Sequence, residues 1–125
     1  AVPTPAAAGS SVTATAGPGA HTVSATLAGI RASMTAGTHS PRVGVPWPIH
    51  ITLSSGRLPV RASGEYEFLF GSEVVAHRSH FAFLGRFSDV ILWPSSAVGY
   101  PLGFRAKIVS GADTFNLDYP VQVGQ

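Results

Sequence analysis

Five histidines and one methionine have the clearest claim to chemistry in this chain: His21, His39, His50, His77 and His80, with Met34. Imidazole and thioether groups are copper ligands, and imidazole also serves zinc. The closest pair lies in His77-Arg78-Ser79-His80. Its spacing would aim both rings the same way on a helix but sends them to opposite faces of a strand, so a shared ion there needs a bulge or a third element. Met34 and His39 flank a loop and, with one further histidine, make the alternative surface site. His50 falls on the outward face of its strand. Solvated or hydrogen-bonded imidazoles account for all of them without an ion. The sequence therefore calls for no metal and no other cofactor, and Met34, His39, His50, His77 and His80 are the positions where a metal would sit.

Nucleophilic chemistry has less support. No Gly-x-Ser-x-Gly elbow occurs, and Asp89, Asp113 and Asp118 are expected at turns or strand ends, bonded to nearby backbone. Glu65 and Glu67 share a strand face and could imitate a glycosidase pair, but Arg78 on the next strand explains them as a structural ion pair. The glycines form no phosphate-cradling pattern ahead of a helix. The expectation is a protein that is not an enzyme. Two rings, Trp93 beside Pro94 and Tyr100 beside Pro101, lie near one connection and could stack on a sugar or a partner protein, or simply fold over the end of the domain.

At 125 residues the chain has room for one domain with a real core and none for a second. Only 11% of it is charged, against about 25% in ordinary globular chains, which suits a crowded or assembled surface. The net charge of +2 comes from scattered cations, and phosphate affinity needs clustered ones, so no nucleic acid partner is expected. Cysteine is absent, which excludes disulfides and thiolate metal sites. No apolar run reaches the ~18 residues of a membrane span. The opening Ala-Val-Pro-Thr-Pro, without a methionine, suits the end left by a signal peptidase and suggests a secreted, extracellular or cell-surface protein.

The elements that must position any site read as strands. Residues 1–20 are rich in Ala, Thr, Pro, Ser and Gly, an arm or linker that cannot build its own core. From His21 the signal has period two. His21 to Leu27 and Ile30 to Thr35 are strands joined at Ala28-Gly29. A loop covers Thr38 to Pro46. Trp47, Ile49, Ile51 and Leu53 then line one face of a central strand, with Trp47 a candidate core tryptophan. Ala62 to Phe70 comes next, and Gly71-Ser72 reads as a type II′ turn pairing Phe70 with Glu73. Counting back sets Phe68 against Val75, Tyr66 against His77, Ala62 against Phe81 and Glu65 against Arg78. Phe87 to Trp93 is another strand. Phe104, Ala106 and Ile108 alternate with Arg105, Lys107 and Val109, and the last strand carries Phe115, Leu117, Tyr119, Val121 and Val123. The fold expected is all-β: an antiparallel immunoglobulin-like β-sandwich of about seven to nine strands over residues 21–125, with an extended N-terminal arm. A small barrel is the alternative.

Five stretches, Pro46-Trp47-Pro48-Ile49, Tyr66-Glu67-Phe68-Leu69-Phe70-Gly71, Gly85-Arg86-Phe87-Ser88-Asp89, Trp93-Pro94 and Val98-Gly99-Tyr100-Pro101-Leu102, resemble uncharacterised secreted bacterial domains of immunoglobulin-like fold. The resemblance spans roughly Ile30 to Val123. It implies the fold and export, and it brings no catalytic residue with it.

None of the residues from Ala1 to Ile30 is Asp, Glu, Lys or Arg; Arg31 is the first formal charge. Within that silent segment Val12, Thr13, Ala14, Thr15 and Ala16 have the alternation of a strand that a sheet edge could accept without desolvating any charge. The function expected is a non-enzymatic, exported structural or assembly subunit, an extracellular filament or cell-surface component. Its arm would add as a strand to a neighbouring copy. The alternative is a surface ligand-binding module for glycan, protein or copper, with the arm as a flexible tether.

Overall fold

A computed structural model describes residues 10–125 apart from Pro18, Gly71 and Ser72, and without the side chains of residues 75–79. The early arm, Ala1 to Gly9, and the expected Gly71-Ser72 turn thus lie outside the described residues. Ten strands run through the rest: β1 (Ser11–Thr15), β2 (Thr22–Leu27), β3 (Ile30–Ala36), β4 (Trp47–Ser55), β5 (Leu58–Pro59), β6 (Arg61–Phe70), β7 (Glu73–Leu84), β8 (Arg86–Ile91), β9 (Pro101–Ser110) and β10 (Asp113–Gln122). A short 3-10 turn, Ser95–Ala97, interrupts them.

The strands pair in the order β1-β10-β9-β6-β7-β8-β4-β3-β2, with β5 a two-residue addition to β4. Among the described residues β7 and β8 pair only through Leu84 and Arg86, so the ladder divides there into two sheets, β1-β10-β9-β6-β7 and β8-β4-β3-β2. Gly85 makes that corner with φ +79°, and a Cβ on it would lie 2.7 Å from the Cβ of Pro59. All pairings between strands are antiparallel except β1 on β10, which is parallel.

Alternation builds the core. Trp47, Ile49, Ile51 and Leu53 on β4, Phe104, Ala106 and Ile108 on β9, and Phe115, Leu117, Tyr119 and Val121 on β10 are all buried, their odd-even neighbours less so. Each of the larger aliphatic side chains among them removes apolar surface worth about 1.5–3 kcal/mol. Trp47 sits in the middle as expected, 2% exposed, with its Nε1–H donated to the carbonyl of Thr38 at 2.9 Å and its ring edge-on to Trp93 and Phe104.

The β6/β7 register departs from the expected one. Phe70 pairs with Glu73, but two irregularities then shift the ladder, between Phe68 and Leu69 and between Gly64 and Tyr66. Phe68 meets Ala76, Tyr66 meets Arg78 and Ala62 meets Phe83. Each β-bulge adds a residue to one strand and re-aims the side chains beyond it. Packing accounts for the second one: Gly64 faces Phe81, and a Cβ there would lie 2.6 Å from the ring Cζ. The slot vacated by the missing side chain admits the Phe81 ring, which stacks on Phe87 at 4.2 Å.

Candidate functional site at the arm seat

The arm residues Ser11–Thr15 form the last strand of their sheet, seated on β10 of the same chain: Val12 pairs with Phe115, Thr13 with Asn116, Ala14 with Leu117 and Thr15 with Asp118. The expectation placed this strand on another molecule; within one chain its own β10 accepts it. The ladder opens with Thr114 N–H donated to Ser10 O and closes with Ala16 N–H donated to Asp118 O, both at 2.9 Å. Parallel pairing alternates the main-chain groups residue by residue. Those of Val12 and Ala14 therefore face β10, and those of Ser11, Thr13 and Thr15 face the open edge.

Side chains obey the same alternation in the other direction. Val12 and Ala14 are half-buried against the core and Ala16 is fully closed off at 4% exposure. Thr13 projects to the outer face, where its Oγ1 accepts a 3.2 Å hydrogen bond from the Asn116 amide.

The outer face beside the arm carries a charged row. Glu67 on β6 pairs with Arg105 on β9, which pairs with Asp118 on β10, which pairs with Thr15 on the arm. Arg105 donates from Nε and Nη2 to the two Asp118 oxygens at 2.7 and 2.9 Å, and its Nη1 lies 3.8 Å from Glu67 Oε1. The Asp118 hydrogen bonds, opposed by burial and aided by the charges of Asp118 and Glu67, raise the Arg105 guanidinium above its ordinary value. Asp118 is thus a mid-strand ion-pair partner and not the turn residue expected, and Asp89 sits within β8, accepting from Tyr66 Oη at 2.9 Å.

Where the arm ends, an open groove of about 690 Å³ lies among Ala16, His39, Leu69, Asp118, Pro120 and Gln122. His39 spans it. Its Nδ1 is 2.7 Å from the carbonyl of Pro120 on β10, its Nε2 is 2.7 Å from the carbonyl of Ala20 behind the arm, and its ring stacks on Tyr119 at 4.1 Å with 4° between planes. Burial pushes the Tyr119 hydroxyl up.

The candidate metal positions do not converge. Met34 is 0% exposed in the core, so it lines no surface site. Both His39 nitrogens face carbonyl oxygens. His50 faces outward as expected and bonds Ser88 Oγ at 2.8 Å. His80 bonds Glu65 at 2.8 Å, while the side chain of His77 lies outside the described residues. Among the described residues no three His, Cys, Asp or Glu side chains surround a common point. Trp93, expected as a ligand-facing ring, is 2% exposed and packs edge-on to Phe68 and Trp47. Tyr100 does face solvent, 54% exposed, edge-on to Phe70. Among the described residues no helix is long and apolar enough to cross a membrane.

Sequence reasoning missed the Arg105–Asp118 pair and the His39 bridge. The first was detectable, since Arg105 and Asp118 lie equidistant from the Gly111-Ala112 turn and must oppose one another once it is drawn. The second joins three segments far apart in the chain and has no local mark. No protein-family model matches this chain, and no curated protein matches it in sequence.

Proposed function

We propose that this protein is a non-enzymatic, exported assembly subunit of immunoglobulin-like topology, and that its arm exchanges from its own β10 to the β10 of a neighbouring copy. The observation that carries the reading is the position of β1. It is the edge strand of its sheet, held in a parallel ladder on β10, and its hinge to β2 lies within residues 16–21, of which Pro18 is outside the described residues. Gly19 in that hinge has φ +82°, a conformation glycine adopts at no steric cost.

Exchange needs no new surface. The seat on β10 is the same whichever copy supplies the strand, so the contacts of the closed chain are remade between chains, and only the hinge changes. The arm has no charge to desolvate in transit, and the charged group beside it, Asp118, is already neutralised by Arg105. Reciprocal exchange closes a dimer, whereas head-to-tail exchange that does not close builds a filament. The strand order supports the immunoglobulin-like reading: β3-β4-β8 run as A-B-E, and β7-β6-β9-β10 as C′-C-F-G. Export rests on the resemblance of the loop and strand-end residues and on the low charge content.

Light scattering on untagged protein over a range of concentrations tests the reading. The expected masses are multiples of 12.9 kDa, falling to one chain when the arm is prevented from pairing. A single-chain mass at every concentration contradicts it.

A further inference from the structure

His39 ties the hinge to the seat. Its backbone is fixed to β10, since its carbonyl accepts from Gln122 N–H at 2.9 Å and the neighbouring Pro41 carbonyl accepts from Gly124 N–H at 2.8 Å. From that anchored loop the imidazole reaches two carbonyl oxygens, Pro120 on the seat strand and Ala20 at the hinge, each at 2.7 Å. A carbonyl oxygen only accepts. A neutral imidazole carries one N–H and one lone pair, so it can satisfy one of these contacts and must oppose the other; the imidazolium donates to both. The flat stack on Tyr119 also favours a cation over the ring face.

We propose that His39 is a latch closed by protonation, holding the Ala20 hinge against Pro120 so that the arm stays on its own chain, and opening as the ring loses its proton so that the arm is released for exchange. The proposal rests on the exchange reading for its purpose, but not for its physics.

Other charged and titratable groups lie on the elements around His39, and the His39→Gln comparison below separates this ring from them. Tyr119 of β10 stacks on it. Asp118 of β10 lines the same groove but is held by Arg105 of β9, with Glu67 of β6 beyond. From its own loop, Arg42 donates to the Gln125 carbonyl. On β4, His50 is occupied with Ser88. The hinge contributes His21, the residue after Ala20.

Amide hydrogen exchange of β1, corrected for intrinsic rates and read on dilute single chains, tests the latch independently of assembly. The comparison is wild type and His39→Gln, at about pH 5 and about pH 8. Wild-type β1 amides should exchange about tenfold faster at the higher pH, the effect of one hydrogen bond to a charged donor. His39→Gln should show no such change. Should that variant fail to fold, the wild-type comparison and the ring ¹⁵N shifts decide, with both His39 nitrogens protonated when the arm is most protected. Equal protection at both pH values, a pH dependence that survives His39→Gln, or a neutral ring in the closed form overturns the latch. Because the readout is taken on monomers, it stands or falls separately from exchange between copies.

Discussion

Arg105 and Asp118 oppose each other across β9 and β10 and are joined by two parallel N–H···O bonds of 2.7 and 2.9 Å. The side chains are 25% and 14% exposed, so this is a part-buried fork and not a surface pair of little consequence. It stiffens the seat strand one residue from where the arm ladder ends at Ala16.

Removing Asp118 leaves the guanidinium without its fork. Asp118→Ala should lower unfolding free energy by about 2 kcal/mol in urea titrations and speed proteolysis of the arm. The raised Arg105 value fixes the sign of its pH effect: its contribution is full below the guanidinium's ordinary range and fades only as pH rises through the still higher folded value. Stability from this group should therefore be flat across neutral and mildly alkaline pH.

Gly64 leaves the space that Phe81 fills. Gly64→Ala should destabilise by about 2 kcal/mol through overpacking. Combining it with Phe81→Leu should recover part of the loss, because the ring that collides is gone, and a double-mutant cycle measures that coupling.

Ala28 and Gly29 both have positive φ, 54° and 79°, which is the two-residue turn that favours Asn-Gly between strands. Ala28 is the strained member, so Ala28→Asn should stabilise by about 1 kcal/mol, read as a rise in Tm.

The arm gives a paired prediction. Ala14→Pro removes an N–H that faces β10 and should free the arm, seen as rapid clipping by protease with the domain intact. Thr13→Pro removes an N–H that faces the open edge and should leave the arm seated. Equal clipping of both variants would contradict the alternation derived from the ladder.

Much of the fold was legible because burial on one face imposes period two, as in Trp47 to Leu53 and Phe104 to Ile108, where the sequence pattern and the burial coincide. The β6/β7 register was not, because the bulge at Gly64 answers to Phe81 and Ile108, residues that come together only after folding. Trp93 was misjudged for a related reason: its neighbours Leu92 and Pro94 are exposed, and the rings that pack on it, Phe68, Trp47 and Phe104, come from distant strands. The arm strand was visible as Ser11 to Ala16, but its partner strand was not, since main-chain pairing carries no side-chain signature of the edge it will choose.

The central claim is that the arm pairs with the β10 of another copy. Thr13 and Asn116 are register partners, and paired strands lie about 5 Å apart, within disulfide reach. In a chain with no cysteine of its own, a Thr13→Cys, Asn116→Cys variant, assembled and then oxidised, reports on a denaturing gel which chain supplied each arm. Exchange predicts chains linked to one another, as a dimer band where exchange is reciprocal and as a ladder where it runs head to tail. A single band of chains, each closed only on itself, would contradict it.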